Sequence, residues 1–246
     1  MLPSSLVQFF AANQEILWIG TVLLDLAGTL VLYRLFGKVG LQVAIATAII
    51  LANLQGPKLT SIFGFETTIG VIFYSSIFLA TDILSENYGR AEANKAVRMG
   101  FVVSLIVLTM LSLSMMYTPT DRQFSIDIHN AFDTILNFTP RFVLGSLFAY
   151  IVSQSFDVWA FHRIKQFTGE KWLWLRNNGS TICSQVVDTT IFSLIVWWGV
   201  VDLTTALKLG AAKFGFKVVI AAIDTGFLYG ARGMFRKHHV PVAQSG

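Results

Sequence analysis

Residues 16–36 read ILWIGTVLLDLAGTLVLYRLF, a run of 21 residues in which only Asp25 and Arg34 are charged. A helix needs about 20 mainly apolar residues to cross the hydrocarbon core of a bilayer. No basic segment precedes the run, so a cleaved secretory signal is not expected. The stretch therefore predicts a helix that spans a membrane.

Further apolar runs follow the first. Together they give seven predicted spans, at 16–36, 41–54, 67–84, 97–117, 142–161, 181–201 and 207–230. The second run is short, and Lys213, Lys217 and Asp224 interrupt the seventh, so six spans are the alternative. Only 13% of the residues are charged, whereas a soluble domain has about a quarter. The sequence predicts an all-α, polytopic transmembrane helical bundle that forms one domain over residues 1–246.

Basic residues are unequally shared between the connections. Twelve lie in the odd-numbered connections and the C-terminal tail, and four lie in the even-numbered ones. Lys and Arg are concentrated in cytoplasmic loops of membrane proteins. The pattern predicts a multi-pass protein of the cytoplasmic (inner) membrane, with the N-terminus outside and the C-terminus in the cytoplasm. The long connection at 118–140 would lie outside and hold a short interfacial helix around 126–136.

The composition also narrows the class of function. The net charge of +4 is explained by the loop residues that orient the chain, so no nucleic-acid partner is expected. Cys183 is the single cysteine, which leaves no disulfide framework. The four His residues fall in loops or at helix ends, and neither an H-E-x-x-H pattern nor a G-x-x-x-x-G-K-[ST] phosphate loop occurs. We expect a protein that is not an enzyme or an ATPase and that uses no metal or cofactor.

The predicted spans carry many polar and ionisable side chains. A charged side chain at the bilayer centre costs about 2.5–3.5 kcal/mol on insertion scales, so these groups should face one another or a wet cavity. Residues three and four apart share one face of a helix, which gathers them into patches. A network of this size indicates a small-molecule transporter, and the alternative is a structural network that holds the helices together. Asp25 is the weakest candidate because it is alone in its span, and Glu86 is equally explained as a cap of the next loop.

Eight residues are the candidate substrate-binding set. They are Asn53, Asp82, Gln154, Asp157, Gln185, Asp188, Lys217 and Asp224. The short second span runs into Gln55-Gly56-Pro57, and proline ends a helix. This segment is equally compatible with a discontinuous helix, which often lines the site of a transporter, and with an ordinary loop.

Several segments resemble the queuosine-precursor transporter family, also called the VUT family. Residues 81–89 read TDILSENYG and residues 92–97 read EANKAV, which is similar to the family's hallmark stretch. The resemblance continues at Asn53 with Lys58, at two Ser-Gln-x-x-Asp motifs and at Lys217 with Asp224. The two motifs are Ser153-Gln154-x-x-Asp157 and Ser184-Gln185-x-x-Asp188.

Membership implies import of 7-deazaguanines such as preQ0, preQ1 or queuine, which the cell uses to make queuosine in tRNA. A deazaguanine presents a ring N–H and an amino group side by side, and a carboxylate accepts such a pair in bidentate fashion. Candidates for the carboxylate are Asp157, Asp188 and Asp224. Candidate donors to the ring carbonyl are Gln154, Gln185, Asn53 and Lys217, and candidate stacking partners are Phe78 and Phe192.

The main alternative is the substrate-capture subunit of an energy-coupling-factor importer, which acts with a partner. The small residues of Ala44-x-x-x-Ala48 form a candidate docking face for such a partner. The sequence leaves open the energy coupling, the precursor that is carried, and whether the protein forms a homo-oligomer or has an importer partner.

Overall fold

The computed structural model describes residues 3–56, 58–136, 140–197 and 202–241. Within them the chain is an all-α bundle with one small β-hairpin, so the predicted fold class is confirmed. The hairpin strands are β1 (Leu59–Ile62) and β2 (Phe65–Thr68), paired antiparallel with Leu59 opposite Thr68. The helices are α1 (Ser4–Ala12), α2 (Gln14–Gln55), α3 (Gly70–Asn87), α4 (Arg90–Ser114), α5 (Gln123–Leu136), α6 (Pro140–Thr168), α7 (Leu173–Phe192) and α8 (Leu203–Arg236).

Helix α2 contains the first two predicted spans, separated by a kink. Its 42 residues would extend roughly 60 Å if straight, which is twice the thickness of the hydrocarbon core. Gly37 breaks the helical geometry with φ 57° and ψ −135°. A Cβ there would lie 2.4 Å from the carbonyl oxygen of Pro241, so both the backbone conformation and the close approach require glycine.

Helix α3 is the central element of the bundle. Of its 18 residues, 14 are buried, and it packs against α2, α4, α6 and α8. Its buried residues include hydroxyl and carboxyl groups as well as aliphatic side chains. A helix surrounded on every side presents its polar groups to several neighbours at once, and this arrangement builds the site described below.

The start of the third predicted span was wrong. The span was placed at 67–84, but Thr67 belongs to strand β2 and the helix begins at Gly70. Phe63 and Gly64 both have positive φ, which gives the tight turn of a hairpin. β-branched residues such as Ile62 and Thr67 favour strands. The hairpin also hydrogen-bonds backbone N–H and C=O groups that an irregular loop would leave without partners. The segment after the second span is therefore a hairpin, and Pro57 itself lies outside the described residues.

The predicted interfacial helix at 126–136 is present as α5, which begins three residues earlier, at Gln123. No side chain of α5 is buried by the protein. Its apolar residues are exposed along one face, at Phe124, Ile128, Phe132 and Ile135. An amphipathic helix of this kind lies in the plane of a membrane interface.

In the part of the chain that the structure describes, three helices are apolar and long enough to cross a membrane by length and composition. They are α2, α4 and the Gly210–Arg236 part of α8. Helices α3, α6 and α7 are less apolar because they carry the buried polar residues. The sixth predicted span, 181–201, begins earlier than expected, at Leu173 in α7, and continues into a π-helical turn at Ser193–Trp197. The end of this predicted span, residues 198–201, lies outside the described residues.

One end of the bundle joins the odd-numbered connections and the C-terminal segment. Lys38 in the first connection pairs with Glu92 in the third at 3.1 Å. Arg236 of the C-terminal segment pairs with Glu170 in the fifth connection at 2.6 Å. The segments in which the sequence concentrates basic residues therefore lie at the same end.

Gly100 allows α4 to approach its neighbours closely. A Cβ at this position would lie 2.4 Å from the Tyr150 hydroxyl oxygen and 2.6 Å from the Ile49 side chain. We expect Gly100→Ala to lower the free energy of unfolding by about 1–3 kcal/mol through overpacking. Thermal unfolding in detergent micelles measures this loss. Gly226→Ala is the matched control, since a Cβ there meets nothing within 4 Å, and equal melting of the two variants would contradict the prediction.

Candidate functional site

A cavity of about 80 Å³ opens between α2, α3, α6, α7 and α8, and we call it the main cavity. Three of the predicted site residues line it: Asn53, Asp188 and Lys217. Aromatic walls come from Tyr74 and Phe192. The cavity thus combines flat apolar surfaces with a few charged and amide groups, which is typical of a site for a small polar molecule.

A smaller cavity of about 10 Å³ lies next to it, and we call it the second cavity. Gln185 and Asp224 line it, together with Phe78 and Ser75 of α3. Tyr74 and Lys217 line both cavities. These two side chains therefore stand at the boundary between the cavities.

An ion pair forms this boundary. Lys217 Nζ of α8 lies 2.7 Å from Asp188 Oδ2 of α7, and both side chains are largely buried. Ser153 of α6 donates to the other oxygen of Asp188 at 3.2 Å. The same ammonium group lies 5.2 Å from the centre of the Tyr74 ring, a cation–π contact. Helices α3, α6, α7 and α8 are thus linked at one point between the cavities.

Lys213 lies on α8, one turn before Lys217. Its Nζ lies 4.3 Å from the centre of the Phe192 ring in the main cavity. The spacing of four residues places both lysines on one face of α8. Their ammonium groups contact different aromatic rings, Phe192 for Lys213 and Tyr74 for Lys217.

A buried polar cluster lies beside the second cavity, formed by Asp82, Gln154, Asp157, Gln185 and Asp224. Each of these side chains is at most 1% exposed. Ser184 donates to Asp157 at 2.9 Å, and Asn177 donates to Asp224 at 2.8 Å. The carboxyl groups of Asp157 and Asp224 lie close enough to that of Asp82 to act on it electrostatically.

Many atoms of this cluster lack a hydrogen-bond partner among the described residues. They include both oxygens of Asp82, Asp157 Oδ2, Gln154 Nε2 and both amide atoms of Gln185. Leaving a buried donor or acceptor unpaired costs about 1–3 kcal/mol each. A buried polar molecule, water or a ligand, would find hydrogen-bond partners at such a concentration of atoms.

Sequence analysis missed two residues that take part here, Tyr74 and Asn177. Both lie on the faces that carry predicted residues, since Tyr74 is eight residues before Asp82 and Asn177 is eight residues before Gln185. Extending the helical spacing by two turns would have found them.

Glu86 is neither a cap nor a member of the site. Its carboxylate accepts two bonds from Arg176, at 2.7 and 3.1 Å, and pairs with Lys165 at 3.0 Å and Arg232 at 3.2 Å. We call these four residues the Glu86 network. It lies at the end of the bundle where the odd-numbered connections meet, beside the Arg232 and Glu170 contact.

Comparison with known proteins identifies the chain as a membrane transporter. The family model described as "Putative vitamin uptake transporter" matches residues 68–231, and the chain belongs to this family of membrane transporters. A "Probable queuosine precursor transporter" of Bacillus subtilis (strain 168) is 37% identical over 88% of this chain and 94% of its own length. The "Queuosine precursor transporter" of Escherichia coli (strain K12) is 30% identical over 69% of this chain and 74% of its own. No solved structure matches the chain significantly.

Proposed function

We propose that this transporter imports queuosine precursors, 7-deazaguanine bases such as preQ0 or preQ1, across the cytoplasmic membrane for salvage into tRNA. The relatives named above are queuosine precursor transporters over most of this chain's length. The observation that carries the proposal is the buried polar cluster, whose unpaired carboxyl and amide atoms lie beside two aromatic-lined cavities. The protein moves its substrate without chemical change.

The cluster offers the groups that a deazaguanine needs. The ring N–H and the exocyclic amino group form a donor pair that fits one carboxylate, and Asp157 has a buried oxygen without a partner. The ring carbonyl accepts from an amide, and Gln185 Nε2 has no partner and lines the second cavity. Tyr74 and Phe78 of the cavity walls supply flat faces for stacking.

Selectivity then follows from unpaired groups. A base that lacks the amino group or the carbonyl would leave a carboxylate or amide of the cluster buried without a partner. Sites that hydrogen-bond their substrate reject analogues lacking the partner group more strongly than apolar pockets do. We assign Asn53, Asp188 and Lys217 to entry through the main cavity and Asp82, Gln154, Asp157, Gln185 and Asp224 to the bound base.

The predicted orientation gives the side of the membrane on which the main cavity opens. With the N-terminus outside, the main cavity faces the exterior, because it is lined at Gly56, Thr68 and Gly210 by residues near the even-numbered connections. The Glu86 network then closes the cytoplasmic end. Import requires the Lys217–Asp188 pair to part first and the network to open afterwards.

A capture subunit of a larger importer is the other candidate from the sequence. Its proposed docking face is covered in this structure, since Ala44 and Ala48 are only 5% and 3% exposed and pack inside the bundle. The described part of the chain thus does not present that face to a partner, which favours a transporter that works alone.

Queuosine in tRNA provides the cellular test. A bacterial host without precursor synthesis and without its own importer would express the protein and receive preQ0 or preQ1. We expect the wild type to restore queuosine, and Asp157→Asn and Asp224→Asn to reduce it at least about a hundredfold at limiting precursor, because each removes a buried charge-assisted acceptor.

The control is Asp121→Asn, which changes an exposed carboxylate in the long connection and should restore queuosine as the wild type does. Equal queuosine from both cluster variants, at equal amounts of protein in the membrane, would refute the assignment of the site.

A further inference from the structure

Lys213 brings a second positive charge to the main cavity, and the import described above assigns it no role. The ammonium groups of Lys213 and Lys217 both line this cavity, whereas Asp188 supplies the single carboxylate among its described lining residues. Lys217 already forms an ion pair with Asp188 at 2.7 Å. No carboxylate of the described residues forms an ion pair with Lys213. The lining of the main cavity therefore carries one positive charge in excess.

An aromatic ring stabilises the Lys213 ammonium group in place of a carboxylate. Lys213 Nζ lies 4.3 Å from the centre of the Phe192 ring, and Phe192 also lines the main cavity. The face of an aromatic ring attracts a cation through its quadrupole and leaves the positive charge uncancelled. The contact thus holds a charged group at the wall of the cavity, where its field acts on any molecule that enters.

The carboxyl groups of the buried polar cluster lie on the far side of the Lys217–Asp188 pair. Asp224 lines the second cavity and Asp82 and Asp157 lie beside it, and the described lining of the main cavity includes none of these three. A substrate that enters through the main cavity therefore meets the excess positive charge first and the acidic groups afterwards.

The queuosine precursors differ in charge at one position of the base. preQ0 carries a neutral nitrile group, whereas preQ1 carries an aminomethyl group, an alkylamine that is protonated at neutral pH as lysine is. The main cavity has space of only about 80 Å³, so few water molecules lie between its wall and a substrate. Like charges a few ångströms apart repel more strongly in such a site than in bulk water.

We propose that Lys213 selects among queuosine precursors by charge, so that neutral preQ0 enters the main cavity more readily than cationic preQ1. The inference rests on the proposed function, because it concerns which deazaguanine is carried. Both bases offer the same ring groups to the buried polar cluster, so the distinction between them is made at entry. preQ1 is still carried, but less efficiently.

Initial rates of uptake measure this preference. The full chain in liposomes, with no ion gradient imposed, would receive radiolabelled preQ0 or preQ1 at one concentration far below saturation, where the ratio of rates gives the specificity. We expect preQ0 to enter at least about tenfold faster than preQ1, and Lys213→Arg to keep this ratio, because both carry the positive charge. Lys213→Met should bring the two rates to within about threefold of each other, and Lys213→Glu should favour preQ1, since a carboxylate attracts its ammonium group.

Lys208→Met is the matched control. Lys208 lies on the same helix but is exposed and is not among the residues that line the main cavity, so this variant should keep the wild-type ratio. A wild type that carries preQ0 and preQ1 equally well would overturn the inference even if the variants do not fold, and so would a ratio that Lys213→Met and Lys213→Glu leave unchanged. Both of these results leave the proposed function intact, whereas a folded and inserted wild type that carries neither base would refute the proposed function and this inference with it.

Discussion

Glu86→Gln should destabilise the folded protein by about 3–5 kcal/mol, which is the usual loss when one partner of a buried ion pair is removed. Glu86 is 3% exposed in its side chain and Arg176 is fully buried. Arg176 also donates to the carbonyl oxygens of Gly169 and Lys171, both at 2.9 Å, so it cannot move to water without breaking those bonds. Three cations would then face a neutral amide.

Thermal unfolding in detergent measures this loss, and we expect the melting temperature to fall by roughly 10 °C. Arg176→Lys should also be destabilising, because lysine cannot reproduce the two-pronged contact of the guanidinium group. The control is Glu66→Gln on strand β2, where the side chain is exposed. If Glu86→Gln and Glu66→Gln have the same melting temperature, the Glu86 network does not stabilise this end of the bundle.

Neutralising either member of the Lys217–Asp188 pair should abolish uptake and also lower stability. Among the described residues, Lys217→Met leaves the Asp188 carboxylate with the Ser153 hydroxyl alone, and Asp188→Asn leaves a largely buried ammonium group. The double variant Asp188→Leu with Lys217→Met removes both charges. We expect its stability to return to within about 1 kcal/mol of the wild type, since replacing a whole buried pair is often neutral, while uptake stays at least about a hundredfold lower.

The double variant separates a functional pair from one that only holds the helices together, the alternative raised by the sequence. Normal uptake with both charges removed would support the structural role and contradict ours. The exposed pair Arg236–Glu170, with side chains 60% and 70% exposed, is the control, because surface pairs contribute about 0–1 kcal/mol. Arg236→Met should therefore change neither stability nor uptake measurably.

The sequence predicted the helices well because apolar runs of this length have few alternatives in a membrane. It did not predict the kink at Gly37, which depends on Pro241 some two hundred positions later in the chain. The hairpin was also missed, because four-residue strands give too short a pattern and adjoin an apolar helix. Hydropathy measures how apolar a segment is, and it carries no information on contacts between distant segments.

The candidate site shows the same division. Spacing within a helix placed Gln154 with Asp157, and both lie in the buried polar cluster, since local geometry decides those neighbours. It also grouped Gln185 with Asp188, but only Gln185 lies in that cluster. The separation of Asp188 from the buried polar cluster by Lys217 and Tyr74 depends on how α3, α7 and α8 pack. Asp25 was the weakest candidate because it is alone in its span, and its hydrogen-bond partners Ser75 and Ser76 lie about fifty residues away on another helix.

Uptake by the purified protein alone tests the central claim most directly. The full chain would be reconstituted into liposomes without any other protein, and entry of radiolabelled preQ1 would be followed. We predict saturable uptake that unlabelled preQ0 or preQ1 inhibits and adenine does not, because adenine lacks the ring carbonyl and the donor pair that the buried polar cluster accepts. Uptake no greater than in empty liposomes, from a protein that is folded and inserted, would contradict the account of a self-sufficient deazaguanine importer.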